Sequence, residues 1–286
     1  MPMTFPKTPI VVALLAAAAA VTAALAVGGG NAAGPALDVP ELEDVNFVVV
    51  CKFSHRAGDD PIVHPGSPGA SHDHTFFGNA ATDAFSTPAA LRGAATSCSR
   101  SQDTAAYWVP TLIADNQPVD AIDAKVYYRR RTLQRVRAFP PGLQIIAGDA
   151  GARAAQSMRI VYWDCGEQSH GRTLPSSAIQ ACPDGRNVML HVRFPDCWDG
   201  KRLDSPDHHS HMAYSQRGRC PATHLVAVPS IDLLVRYPVR GTEHIELASM
   251  GQLSGHADFV NSWQQPELER LVEQCLNALR RCGPAP

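Results

Sequence analysis

The sequence predicts a mainly β protein: a single antiparallel β-sandwich or jelly-roll-like domain with long loops and a C-terminal helix. Three observations lead there. Short runs rich in β-branched and aromatic residues recur along the chain, most of them bounded by Gly, Pro, Asp or Asn, as strand ends are. Between these runs no stretch has the periodicity of a crossover helix, which argues against parallel βαβ units. Eight cysteines follow an apolar N-terminal segment, an even count that fits disulfide staples rather than thiolate ligands.

The strands are expected, in order, at 45–53 (VNFVVVCKF), 106–114, 124–130, 142–148, 158–165 (MRIVYWDC), 188–194, 225–237 and 244–249. Pro229 should split the long run at 225–237, because proline donates no ladder hydrogen bond. The helix is expected over 266–281 (PELERLVEQCLNALRR). Pro266 sits in its first turn, Glu267 and Glu269 follow early, Arg280 and Arg281 close it, and Gly283 lies just beyond. Leu268, Leu271, Val272, Cys275, Leu276 and Leu279 share one face at helical spacing and should pack on the β core.

The N-terminus has the features of an export signal. Lys7 precedes an uninterrupted apolar run at 10–27, and small residues follow at 28–36, where a signal peptidase would cut. The alternative is an uncleaved anchor, since the run is long enough to span a bilayer. Residues 1–36 are therefore set apart from a single domain over 37–286. Behind such a segment Cys51, Cys98, Cys165, Cys182, Cys197, Cys220, Cys275 and Cys282 predict a secreted, disulfide-stapled protein. None forms a CxxC pair. Their pairing is open, with a local Cys275–Cys282 bridge as one guess.

A formal charge of −2 argues against a generic nucleic-acid binder. Nothing beyond the N-terminal segment points to a membrane, and oligomeric state is not legible. One local exception to the charge balance is the run at 127–137, with Arg129, Arg130, Arg131, Arg135 and Arg137. It fits a solvated strand or hairpin, with a contact surface for an anionic polymer as the alternative.

Histidine is the unusual ingredient, twelve in all and clustered. In SHDHTFFGN (71–79), His72 and His74 project to the same side if extended, so both can reach one ion through neutral imidazole nitrogens. The preceding HPGSPG is the bend that aims them. A second cluster, FPDCWDGKRLDSPDHHSHMAY (194–214), holds Asp199, Asp204, Asp207, His208, His209 and His211, and its acids can orient imidazoles or act as bases. Its alternative is a polar exposed turn. A third element, GHADFVNSW (255–263), offers His256 and Asp258, with helix capping and packing of Phe259 and Trp263 as the alternative. Asp59 and Asp60, before a proline, fit a turn. The sequence holds no nucleophile elbow, phosphate-binding loop, dinucleotide fingerprint or HExxH helix.

Six ordered blocks carry a family resemblance: 59–79, YWVP (107–110), 139–149, 194–214, CPATH (220–224) and 255–263. On these the chain resembles the secreted fungal and bacterial family known as domain of unknown function 1996. The positions that match its pattern are His55, Asp60, His72, His74, Asp199 and Asp204, and then Asp207, His208, His211, His224, His256 and Asp258. Some fungal members carry an appended cell-wall-sensing carbohydrate-binding module, so the resemblance implies work on or near polysaccharide. It implies no mechanism.

The expectation is a secreted enzyme acting on extracellular or cell-wall polysaccharide, by metal-assisted or His/Asp acid–base hydrolysis or lyase chemistry. Its metal ligands would be His72, His74 and His211, and its catalytic groups His208, His256, Asp207 and Asp258. Zinc, copper or calcium would be the cofactor. The alternative is a non-catalytic wall-binding or copper/zinc-binding protein holding an ion on the same histidines. Tyr107, Trp108, Trp163 and Trp198 could line a sugar cleft, although core packing competes for them.

Overall fold

Period-two alternation builds the strands, and the computed structural model describes them over residues 1–4, 42–168, 171–183 and 185–283. The export segment expected at 1–36 lies outside the described residues apart from its first four. Ten strands form the main sheet: β1 (Asn46–Ala57), β2 (His74–Gly78), β3 (Ala106–Pro110), β4 (Asp123–Arg129), β5 (Gln144–Gly148), β6 (Val161–Asp164), β7 (Met189–Arg193), β8 (Ser230–Arg236), β9 (His256–Val260) and β10 (Arg281–Cys282). Their order is β5-β9-β3-β2-β1-β4-β8-β7-β6, all antiparallel, with β10 lying parallel to the start of β1. The protein is thus mainly antiparallel β with a C-terminal helix, as the sequence predicts.

The sheet curls until it is nearly closed. Its two edges meet where glycine removes the side chain: a Cβ on Gly255 would stand 2.7 Å from Val161, and one on Gly148 3.1 Å from the same valine. Inward-facing residues of all the longer strands fill the enclosed space. Phe47 stacks on Tyr128 at 4.6 Å, Tyr107 meets Phe259 at 5.3 Å, and Phe139 meets Phe259 at 5.3 Å. Each such burial stabilises the fold by about 1.5–3 kcal/mol. Tyr107, Trp108 and Trp163 are all buried, in the core packing that competes with a sugar-cleft role. Trp198 is half-buried and donates its indole N–H to the Arg202 carbonyl.

Four disulfides join neighbours in sequence: Cys51–Cys98, Cys165–Cys182, Cys197–Cys220 and Cys275–Cys282. The last is the local bridge read from the sequence. It also reshapes the helix. An α-helix spans Gln265–Leu271, continues as a π-helix over Val272–Asn277, and stops short of residue 281. Leu279, expected on the buried face, is exposed with φ +54°, where the chain turns so that Cys282 reaches Cys275 and β10 reaches β1.

The run expected at 106–114 breaks at Thr111, whose hydroxyl lies 3.0 Å from that of Thr75. Its second half, Leu112–Ala114, joins a small sheet with Gln117–Val119 and Ile245–Leu247. The run at 225–237 splits at Pro229, as expected, into Val226–Ala227 and β8. β2 and β9 were not expected as strands, and they carry the histidines.

The outer faces of β2, β3 and β9 are not left to solvent. Phe76, Ala106, Trp108 and Val260 form a second small core there, covered by Ile62 and Leu91. Described residues from 42 onward belong to one compact unit.

Candidate metal centre

Strand parity puts three polar residues on that same outer face. His74 and Phe76 alternate on β2, while His256, Asp258 and Val260 alternate on β9. β3 lies between, pairing His74 with Pro110 and Asp258 with Trp108. His74 and His256 therefore face outward near one end of the sheet, above the second core. The loop from Gly58 to Asp73 arches over them and returns His72 to the same point.

Aspartates hold this loop. The Asp60 carboxylate accepts the backbone N–H groups of Ile62 and Val63, both at 2.9 Å, which closes a turn. The Asp59 carboxylate accepts Gly69 N–H at 2.9 Å and Ala84 N–H at 3.1 Å. Asp59 has a further role through its backbone: its carbonyl accepts the Nδ1–H of His74 at 2.9 Å. In the same way the Ser254 carbonyl accepts the Nδ1–H of His256 at 2.9 Å. These two bonds fix both tautomers and turn both Nε2 lone pairs toward the cluster.

His72, His74 and His256 come together. Ring centroids lie 4.2 Å apart for His72–His74, 5.0 Å for His72–His256 and 5.8 Å for His74–His256. One ligand atom from each falls within 4.8 Å of the others. His72 Nε2 lies 3.2 Å from His256 Nε2, and the fixed tautomer of His256 makes His72 the donor. That spacing matches two ligands on one tetrahedral ion, for which bonds of about 2.0–2.1 Å separate the nitrogens by about 3.3 Å. His74 Nε2 is buried and has no hydrogen-bond partner among the described residues. An acceptor left so costs about 1–3 kcal/mol.

Electrostatics keep the cluster neutral. Burial pushes His74 well below the ordinary imidazole range, and the neighbouring imidazoles add to the shift. Burial also lowers His256, to about 4. His72 is lowered by burial too, although Asp60 and Asp73 oppose the shift. Asp258, whose Oδ2 is 4.0 Å from His256 Nε2, is pushed well above the carboxylate range by burial and then by the Asp60 charge. That Oδ2 is also buried without a hydrogen-bond partner among the described residues. Three neutral imidazoles beside a buried carboxyl form a donor set suited to a divalent transition metal, with soft thiolates absent from it.

His211, expected as the third metal ligand, lies elsewhere. It is fully buried, and both its ring nitrogens are engaged: Nε2 donates to the Gln144 carbonyl at 2.7 Å and Nδ1 faces Ser205 Oγ at 2.9 Å. Gln144 starts β5, whereas His256 pairs with Gly148 at its end, about 13 Å further along the strand. The third imidazole is His256, which was expected as a catalytic group. His208 pairs through Nδ1 with Asp204 at 2.8 Å. Asp207 is a turn former, accepting the N–H of Ser210 at 2.9 Å, the N–H of His209 at 3.2 Å and the Ser205 hydroxyl at 2.7 Å. These bonds hold Asp207 far below the carboxylate range, which suits an anchor and not a proton carrier. The 199–211 loop is thus a self-bonded unit pinned to β5, apart from the cluster.

The remaining family positions lie outside the three-histidine group. His55 stacks on Phe76 at 4.7 Å and reaches the Thr82 carbonyl at 2.9 Å. His224 contacts Thr223 and the Ser210 carbonyl, and Asp199 binds Arg202. Sequence reasoning missed the carbonyls of Asp59 and Ser254, which a side-chain pattern does not reveal. It missed Gly148 as well, although a glycine closing a strand run was a visible signal.

A family model described as a domain of unknown function (DUF1996) matches residues 60–263. No curated protein and no solved structure gives a significant match. The matched span contains all three imidazoles and Asp258.

Proposed function

Because the chain belongs to the DUF1996 family, whose description assigns no activity, we propose from the site itself that it is a secreted metalloprotein. It holds one divalent transition-metal ion on His72, His74 and His256 and uses it in hydrolysis or lyase chemistry on an extracellular polysaccharide. One observation carries the metal assignment: the buried, unpartnered Nε2 of His74, with its tautomer set by the Asp59 carbonyl and two further imidazoles beside it. Zinc or copper fits three nitrogen donors better than calcium, which takes oxygen ligands.

A bound divalent ion supplies Lewis acidity toward a carboxylate or a water. The chain's own groups do the rest. Asp59 and Ser254 hold the two buried rings, and the half-buried His72 forms the solvent side of the site. Asp258, close to His256, is the group placed to hold a proton, and a cation nearby would favour its ionised form. Four disulfides support the extracellular setting, and among the described residues no helix is long and apolar enough to cross a membrane.

A second reading has its own support. His74 and His256 are enclosed, and only His72 offers partial access. Enclosure favours a non-catalytic copper- or zinc-binding protein, in which the ion ties the 58–73 loop to the sheet. Metal analysis followed by a product screen decides between them. Wild type should hold one equivalent of metal, which His74→Ala loses and His211→Ala keeps. New reducing ends or unsaturated products from wall polysaccharides, abolished in His74→Ala, support the enzyme. Metal without products from any such substrate supports the binder, and a metal-free wild type that takes up none on titration overturns both.

A further inference from the structure

A second polar site lies on the opposite flank of the sheet. The outward residues of β4, β8, β7 and β6 form the floor of a cleft of about 350 Å³, at the lower end of the roughly 300–1,000 Å³ usual for small-ligand sites. Strand register sets one row across this floor: Lys125 beside Leu234, Leu234 beside His191, His191 beside Tyr162. The segment after β6, stapled by Cys165–Cys182, supplies a wall at Gly166 and at Gly185–Asn187.

Four cations line the cleft, Lys125, Arg129, Arg186 and Arg236, against two carboxylates, Asp164 and Asp232. The carboxylates are engaged. Asp232 binds Arg129 at 2.7 Å and Arg131 at 2.6 Å, and Asp164 binds His191 at 2.9 Å. Arg236 pairs with Asp123 at 2.6 Å. Lys125, in the central row, makes no ion pair among the described residues. It presents an uncompensated charge in a partly desolvated cleft, where attraction for an anion exceeds that at an open surface.

The other groups narrow the ligand. Tyr127 lies under the Arg129 guanidinium at 4.6 Å, and Tyr162 stacks on His191 at 4.2 Å. These rings and Leu234 give apolar edges, while Asn187 can bond hydroxyls. The glycan setting proposed above selects a sugar carboxylate over a free phosphate, and the binding test separates the two. We infer that this cleft binds a carboxylate-bearing sugar unit of an acidic polysaccharide, with Lys125 meeting the carboxylate. The site is distinct from the histidine cluster. Lys125 pairs with Val50 of β1 and His74 with Ala57, seven residues further along the strand, or roughly 20 Å. The inference takes only the extracellular glycan setting from the function proposed above.

The test is binding of a uronic-acid tetrasaccharide by calorimetry, with chelator present so that no metal contributes. Wild type should bind it and should not bind a neutral glucose tetrasaccharide. Lys125→Gln should weaken binding at least tenfold, with Lys125→Glu abolishing it; both change a half-buried surface position, and unchanged melting temperatures verify their folding. His74→Ala should bind as wild type does, so failure of the metal reading and failure of this one are separate results. No uronate binding by wild type, equal binding by Lys125→Gln, or tighter binding of inorganic phosphate than of the uronate would overturn the assignment.

Discussion

At the residue scale the protein sorts its histidines by what their second nitrogen does. His74 and His256 spend Nδ1 on backbone carbonyls and keep Nε2 for the cluster, while His211 spends both nitrogens inside the fold. Removing His211 should therefore cost stability, by about 1–3 kcal/mol in chemical denaturation, and leave metal content intact. Removing His74 should do the reverse in metal content. A second residue-scale prediction concerns Asp103. Its carboxylate accepts the Tyr107 hydroxyl, which contacts Tyr128, which accepts the Trp263 indole N–H. Burial raises Asp103 to about 8. A carboxyl whose pKa is higher folded than unfolded binds more protons in the native state, so its contribution is full below about pH 4 and is lost as pH rises to about 8. The melting temperature of wild type relative to Asp103→Asn should fall across that window. A constant difference would contradict the assignment. At this scale the sequence grouped His72 with His74, which the fold brings together, and grouped both with His211, which the fold places elsewhere. A histidine that closes a loop on a carbonyl has the same compositional signature as a ligand, and only the fold tells them apart.

At the scale of elements, the site depends on two short strands that the sequence concealed. HTFFG and HADFV are buried at every position, because one face meets the main core and the other the second core. The alternation that marks a half-exposed strand is absent, and polar residues take positions that hydropathy assigns to loops. Longer strands with one solvated face, such as β4 and β8, were legible for the opposite reason. Glycine sets the closest approach beside the cluster. Gly148 has φ +85°, and a Cβ there would meet the Gly255 carbonyl at 2.5 Å and His256 Cα at 2.9 Å. Gly148→Ala should push β9 away from β5, lowering stability by at least about 1 kcal/mol and weakening metal affinity together with it. Weakened stability with unchanged metal affinity would show that the cluster tolerates movement of β9. The C-terminal helix teaches a related lesson. Its amphipathic face was read correctly through Leu276, and its end was not, because the disulfide to Cys282 and the parallel pairing of β10 override local propensity.

At the scale of the whole molecule, one nearly closed antiparallel sheet carries two outward polar sites on different flanks. The sequence showed the class, the staples and the helix. Sheet order was hidden, since the strands flanking β1 come from residues 74–78 and 123–129 and no local signal sets that pairing. Metal should act on the entire fold by linkage. An ion at one hundred times its dissociation constant adds about 2.7 kcal/mol, which for a chain of this size raises the melting temperature by roughly 5–10 °C. Scanning calorimetry with and without zinc reads this directly, and no shift in wild type at saturating zinc would count against binding to the native state.

The most direct measurement is an anomalous difference map from crystals of the zinc- or copper-loaded protein, collected above and below the metal's absorption edge. The account predicts a single strong peak in bonding contact with imidazole nitrogens of His72, His74 and His256. A metal-loaded crystal with no peak there, or with its peak among Asp204, His208 and His211, would contradict it.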